Sequence, residues 1–567
     1  MERIHALLPP RTKIPIDIEI LGDYLSLRFP YHKGLVEEIK AMDKGSKGGW
    51  DDKDRRWVIL NNKRNIFAFS YLLRKDPFMW YRKPVVDLKA DYAFWKHQHD
   101  IYNFIMARRR CIIAGEMRTG KTWPTLMAIQ NSKWPSAWVV STTPALRGLK
   151  RELIKWGFTK DAHLMTYNKF TTLANHIKDG ADIDIPPFIV FDEMQKLKTP
   201  TSGRGEAARE LVDLMDDKYG MECYVVGLSG TPSPKDPSDW WNLCEVAQPG
   251  FIRESNKSAL YHRLGNLTQQ EGALGNKYWS LEKTEECPKG WKEDEVSFLY
   301  ERLKGLVLVV LKREALPDLP EKVYEVRSIK PSKKILLIAK TIADNADNKL
   351  VARNLLRQLS DGFQYTKDYD AETGKVIRGE TKFVGSPKLS ELKLDLEEHE
   401  DIGRIIIYGG FKETVDRITD VCLESGWVVC RVDGRGWHVF KPKGVGGDIT
   451  PEQIQEEMDR STNQYDIPKI AFVAQSDSAG TGLELSAAPT VIYVSNSDSG
   501  DARMQSEDRA HSNNMDKVRG LTIIDYCYLP VDYLIRDNLL AKKHLQSLSL
   551  GDIKDSIDKA LREEEDI

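Results

Sequence analysis

Two parallel-sheet α/β lobes in tandem, with a helical insertion between them and a small α+β unit in front, are what this 567-residue chain leads one to expect. Two series of short β-branched runs carry the expectation. RCIIAG, AWVVSTTP, HLMTY, FIVFDE and YVVGLSGTP alternate with helical patterns from about 94 to 250. RIIIYGG, WVVCRVDG, KIAFVAQ, TVIYVSN and LTIIDYCYL repeat the alternation from about 386 to 528. Strands that alternate with helices need crossover connections, and crossovers make parallel sheets. The expected boundaries are 1–84 for the small unit, 85–251 for lobe 1, 252–385 for the insertion, 386–545 for lobe 2 and 546–567 for an acidic C-terminal helix.

The small unit opens on IPIDIEILGDYLSLRF, whose alternation reads as a half-buried strand or hairpin. YHKGLVEEIKAM follows as a short amphipathic helix with Leu35, Ile39 and Met42 on one face. Trp50 and Trp57 are expected in the core, and KPVVDLKADYAFW reads as a connector. Within the insertion, YDAETGKVIRGET reads as a hairpin, and Trp240 and Trp241 are expected to pack between lobe and insertion. The run Arg108, Arg109, Arg110 is read as an exposed helix end rather than a basic patch.

Composition narrows the function classes. Hydrophobic residues make up 41% and charged residues 30%, so the chain can build a core. The net charge of -2 excludes a polybasic coat but leaves local basic grooves open. Seven cysteines without CxxC spacing indicate neither a zinc ribbon nor a disulfide framework, and no metal beyond Mg²⁺ is expected. The longest aliphatic run, Leu306 to Leu311, is far short of a bilayer span. The chain is expected to be cytoplasmic, away from membranes.

Chemistry enters at GEMRTGKT, residues 115–122, which fits G-x-x-x-x-G-K-[ST] between an apolar strand and a helical run. Gly115 and Gly120 let backbone N–H groups curl round phosphate oxygens, Lys121 reaches the β- and γ-phosphates, and the Thr122 hydroxyl ligates Mg²⁺. FDEMQ at 191–195 ends a buried strand, so its acids point toward the same phosphates. Asp192 holds Mg²⁺ in this reading, and Glu193 polarises the attacking water. The cofactors are thus ATP and Mg²⁺. LSGTP at 228–232 is a weaker strand-end signal.

The order GEMRTGKT, STTP, TYNKF, DEMQ, LSGTP, SAGTGLEL and QSEDRAH resembles the Swi/Snf-type helicase-like ATPases of helicase superfamily two, over roughly 94–528. The resemblance implies two RecA-like lobes facing each other across a cleft, and ATP-driven translocation on double-stranded DNA. FWKHQ makes Gln98 the implied adenine reader. LKREALPDLPEK at 311–322 is similar to the signature before the second lobe. Gly482, Gln505 and Arg509 are implied at the nucleotide, with Arg509 completing the site and Arg519 in reserve. Ser512 stands where the family has a second arginine, Gln195 where many members have histidine, and the pattern looks like the compact bacterial and phage members.

FPYHKGLVEEIKAM…GGWDDKDRRWVI at 29–59 resembles the HARP domain of annealing helicases, which implies recognition of branched or fork DNA. Arg55 and Arg56 are its candidate phosphate contacts, against the alternative of a solvated turn. Thr142, Thr143, Thr166, Tyr167 and Thr481 are candidate duplex contacts at strand ends, each also fitting a helix cap. The implied partner is double-stranded or branched DNA, with single-strand-binding or recombination proteins as protein partners, and no oligomer is implied. The alternatives are a strand-separating helicase and a poorly hydrolysing, ATP-gated DNA-binding protein.

Overall fold

The computed structural model describes residues 2–8, 12–62, 64–65, 95–230, 236–252, 254–271, 277–284, 290–346, 348–369, 376–460, 465–476, 483–497, 499–541 and 562. It divides into two compact units, Met1–Ala315 and Leu316–Ile567. The expected connector after residue 83 lies almost wholly outside the described residues, as does the C-terminal helix apart from Arg562.

Unit 1 begins with five antiparallel strands: β1 (Glu2–Leu8), β2 (Thr12–Leu21), β3 (Tyr24–Arg28), β4 (Gly49–Asp51) and β5 (Arg56–Leu60), in the order β1-β2-β3-β5-β4. The helix Lys33–Lys40 covers one face and buries Leu35 and Ile39, with Met42 just beyond it. These residues meet Ile14, Ile16, Leu25, Leu27, Trp57 and Ile59 in one small core. Trp50 departs from expectation. It pairs with Trp57 across the ladder and packs on it at 5.4 Å, yet remains 48% exposed because β4 is an edge strand.

The larger sheet of unit 1 is parallel throughout. Its strands are β6 (Arg110–Gly115), β7 (Ser136–Ser141), β8 (Asp161–Thr166), β9 (Phe188–Phe191) and β10 (Tyr224–Ser229). A two-stranded hairpin, β11 (Leu267–Glu271) and β12 (Lys277–Leu281), comes next, and then β13 (Val307–Val310) returns to the sheet. The order is β13-β6-β10-β9-β7-β8. Residues on β6 alternate between two cores, Ile112 and Ala114 on one face, Cys111 and Ile113 on the other. A strand buried on both faces has no polar alternation, which is why RCIIAG reads as a continuous apolar run.

Arg110 corrects the reading of the arginine run. It is fully buried at the start of β6, paired with Asp216 and hydrogen-bonded to Cys223 Sγ at 2.8 Å. Arg109 ends the preceding helix at φ +58 and pairs with Glu222 at 2.6 Å.

Unit 2 is built on a seven-stranded sheet. Its strands follow β14 (Lys322–Ser328), then a separate hairpin of β15 (Phe363–Tyr369) and β16 (Val376–Phe383), then β17 (Arg404–Tyr408), β18 (Val428–Asp433), β19 (Gly436–Phe440), β20 (Ile470–Ala474), β21 (Thr490–Tyr493) and β22 (Leu521–Cys527). The sheet order is β14-β22-β21-β17-β20-β18-β19, with only β19 antiparallel. Both large sheets are consistent with RecA-like lobes.

The stretch 252–385 differs from a separate insertion. Part of it, through β13, forms an edge of the unit 1 sheet, and β14 forms an edge of the unit 2 sheet. The division falls at 315/316, inside the LKREALPDLPEK signature. The described cysteines are free and buried, and none of the described helices is long and apolar enough to cross a membrane.

The N-terminal sheet unit is seated on the lobe within unit 1. Arg64 pairs with Glu245 at 3.2 Å and donates to the Glu254 carbonyl at 3.2 Å. Burial pushes the Glu245 carboxyl up to about 7, with Arg64 opposing. A carboxyl that binds its proton more tightly in the folded state contributes stability at low pH and loses it as pH rises. We expect the stability of unit 1 to fall between about pH 4.5 and about 7 through this group. Glu245→Gln should flatten that part of a stability-against-pH curve measured by denaturant titration.

Candidate active site

The three strands β6, β10 and β9 lie side by side and end on the same edge of the sheet. Ligands of open parallel sheets bind outside such carboxyl ends. From β6 the chain runs through Glu116–Lys121 into the helix Thr122–Asn131. The helix start brings N–H groups and a positive dipole end to the loop.

Lys121 arches over this loop, its Nζ donating to the carbonyls of Gly115 at 2.8 Å and Glu116 at 2.9 Å. The Thr119 hydroxyl donates to the Glu116 carbonyl at 2.9 Å. The Glu116 carboxylate accepts from the Lys312 backbone N–H at 2.5 Å, which ties the loop to the segment after β13. Gln98 is buried and donates from Nε2 to the Gly120 carbonyl at 3.2 Å. His97 Nε2 is bonded to the Thr119 carbonyl at 2.8 Å. The helix Lys96–Arg108 therefore presents His97 and Gln98 to the Gly115–Lys121 loop.

Gly120 has φ +72, and a Cβ there would stand 2.5 Å from Gln98 Nε2. Gly120→Ala strains the backbone and displaces Gln98 together. The expected cost is about 1–3 kcal/mol of local stability, with weakened ATP binding, read by thermal melting and nucleotide titration.

Asp192 and Glu193 follow β9. The Asp192 carboxylate accepts from the Ser141 hydroxyl at 2.5 Å, and its carbonyl accepts from Tyr167 OH at 2.7 Å. Burial and the neighbouring Glu193 push its carboxyl up to about 6, against Ser141 and Lys121. Glu193 takes φ +54 and opens the short turn Met194–Leu197. Gln195 donates its amide to Glu193 Oε2 and accepts from the Ser229 hydroxyl at 3.1 Å. The LSG segment at the end of β10 is thus joined to the acid pair through Gln195, a residue noted in the sequence only as a departure. Thr231 and Pro232 lie outside the described residues.

The donor set fits Mg²⁺. The Thr122 hydroxyl and the Asp192 carboxylate are hard oxygens beside a phosphate loop, and Mg²⁺ takes one or two such protein ligands with phosphates and water. The charge of a divalent cation would also answer the burial and the neighbouring Glu193 that together hold Asp192 above its ordinary range.

The candidate DNA contacts separate. Thr142 and Thr143 sit at the start of the helix Thr143–Lys155, directly beyond β7, with Thr143 exposed. Thr166 caps the helix Tyr167–Lys178, its hydroxyl accepting from Lys169 N–H at 3.2 Å. Tyr167 is removed from the set: it is buried, and its hydroxyl is committed to the Asp192 carbonyl. Arg55 is exposed at φ +48 in the β4–β5 turn. Arg56 is held by Asp51 at 3.1 Å and Asp54 at 2.9 Å, as a structural turn residue is.

In unit 2, Gln505 lies half-buried on the helix Gly500–Asp508, and Arg509 is buried at its C-terminal cap. Arg503 fixes this helix, pairing with Asp525 at 2.6 Å and Glu507 at 2.7 Å and lying over the Tyr493 ring at 3.5 Å. Ser512 is buried and donates to Glu484 Oε1 at 3.0 Å. Arg519 is exposed and faces Asp516 at 3.6 Å. Thr481 and Gly482 lie outside the described residues.

No family model matches the chain. In sequence it is similar to the human (Homo sapiens) SWI/SNF-related matrix-associated actin-dependent regulator of chromatin subfamily A member 1. That match is 23% identical over 336 residues, 57% of this chain and 28% of that protein. The mouse (Mus musculus) protein of the same name matches with the same identity and coverage. The ISWI chromatin-remodeling complex ATPase CHR11 of Arabidopsis thaliana is 27% identical over 126 residues, 22% of this chain and 10% of that one. The chain thus spans less than a third of the length of these curated relatives. Among solved structures it is similar to the Sulfolobus solfataricus SWI2/SNF2 ATPase core in complex with dsDNA, with TM-score 0.33 and 17% identity, covering 83% of this chain and 95% of that one.

Proposed function

We propose that this chain is a Swi/Snf-type, DNA-dependent ATPase that moves along double-stranded DNA and thereby remodels branched or fork DNA or anneals strands. The observation that supports it is the assembly of Lys121, Asp192 and Glu193 at the carboxyl ends of adjacent parallel strands, in a chain similar in sequence to SWI/SNF and ISWI ATPases. ATP lies along the phosphate loop, with Gln98 beside it and Lys121 on the outer phosphates. Mg²⁺, held by Thr122 and Asp192, supplies charge neutralisation at the phosphates when bound. Glu193 takes a proton from the attacking water, and Gln195 fixes its carboxylate. Arg509 gives cationic charge to the transferred phosphoryl group. Gly482 and Gln505 complete the nucleotide set, and Thr142, Thr143, Thr166 and Thr481 contact duplex phosphates. The HARP-like N-terminal unit, with Arg55 at its turn, meets branched DNA.

Displacement of a third strand from a DNA triplex tests the motion. ATP-dependent displacement with the duplex strands still paired is expected. Release of single strands from the duplex would select a strand-separating helicase. Ser512 motivates a second reading: a neutral hydroxyl, bonded to Glu484, stands where the family has a second arginine, and a weakly hydrolysing, ATP-gated DNA binder would show duplex binding without turnover.

A further inference from the structure

Between the N-terminal unit and the acid pair runs an unbroken set of contacts that the nucleotide chemistry itself does not use. It starts at Arg64, just after the N-terminal sheet. Asn65, beside it, is buried and holds that sheet's end, donating to the carbonyls of Asp43 and Leu60. Arg64 lies over the Trp241 ring at 5.3 Å and is paired with Glu245, both on the helix Trp240–Ala247. The backbones meet closely here as well: a Cβ on Gly250 would stand 2.4 Å from the Arg64 carbonyl oxygen.

Arg209, at 5.7 Å from the same Trp241 ring, is the next link. Trp241 is thus approached by one guanidinium from the N-terminal unit and one from the helix Gly203–Tyr219. Arg209 donates to Asn242 Oδ1 and to the Pro200 carbonyl, the latter at 3.0 Å. Fully buried Asn242 donates in turn to the Leu197 carbonyl. Leu197 closes the turn that Glu193 opens at φ +54, with the Lys196 N–H on the Glu193 carbonyl at 3.0 Å. A left-handed residue at the head of a short turn holds its conformation only where its surroundings over-determine it. Asn242 is part of those surroundings.

We infer that Arg64 and Asn242 are positioning residues, and that through Trp241 and Arg209 the seating of the N-terminal unit sets the orientation of Glu193. The N-terminal unit then acts on turnover as well as on DNA recognition. This rests on the ATPase reading above. The test measures the coupling between the two ends directly.

Steady-state ATP hydrolysis at saturating fork DNA is compared for the unsubstituted chain, Arg64→Ala, Asn242→Ala and the double variant, with Arg64→Lys as the conservative control. We expect Arg64→Ala to lower kcat roughly threefold or more, with KM for ATP little changed and with partial recovery in Arg64→Lys. The double variant should fall no further than the worse single one, because both cut the same link. Should Arg64→Ala fail to fold, Arg64→Gln keeps most of the bulk and removes the charge, and Asn242→Asp keeps the shape while removing the amide donor to Leu197. Unchanged kcat in Arg64→Ala, or losses that multiply in the double variant, would overturn the inference while leaving the ATPase reading intact. Absence of hydrolysis in the unsubstituted chain would overturn the ATPase reading and the inference with it.

Discussion

Glu193→Gln is expected to reduce ATP turnover by about 10²- to 10⁴-fold, the usual contribution of a positioned general base. KM for ATP should change little, because the substitution touches proton transfer rather than phosphate binding. The geometry sets this side chain apart from its neighbour. Glu193 stands one residue beyond Asp192, at a left-handed position that turns the chain away from β9, and the Gln195 amide holds its carboxylate. Asp192 differs in its surroundings, since its carboxylate accepts from the Ser141 hydroxyl. Single-turnover kinetics with bound ATP would read the effect. Full turnover in Glu193→Gln would remove the base from the account.

Arg509→Ala is expected to lower kcat by about 10³-fold or more, the scale on which an arginine acts on a phosphoryl-transfer transition state. Arg519→Ala should leave turnover within about twofold, as an exposed surface charge screened by solvent contributes little. Two features separate them. Arg509 caps the helix that Arg503 pins to Asp525, so its position is defined, whereas Arg519 is exposed beside Asp516. Position 512 is a serine, bonded to Glu484, so no second arginine stands at that place. Equal losses in Arg509→Ala and Arg519→Ala, measured at saturating ATP and DNA, would put the catalytic cation elsewhere.

Strands buried on both faces were the most legible part of this chain. RCIIAG, FIVF and RIIIY carry their signal within a few residues, and GEMRTGKT and DEMQ stand directly at such strand ends. Features that depend on the sheet edge or on distant partners were hidden. Leu306 to Leu311 is the clearest apolar run in the chain, yet its role as an edge strand beside β6 depends on a return to the sheet after a long excursion. Arg110 belongs to a basic run by sequence, and only its partner Asp216, far along the chain, explains its burial. Tyr167 stands at a strand end like the threonines around it, but its hydroxyl reaches the Asp192 carbonyl. Trp50 shares a ladder pair with Trp57 and still faces solvent, because among the described residues no strand pairs beyond β4. The path from Arg64 to Leu197 joins four separate segments and has no local signature at all.

Steady-state ATP hydrolysis with no nucleic acid, with single strands, with linear duplex and with a fork junction tests the central claim most directly, with Lys121→Ala as the blank. The account predicts strong stimulation by duplex or fork that disappears in Lys121→Ala. DNA binding without hydrolysis under any of these conditions would contradict it and leave a nucleotide-gated binding protein in its place.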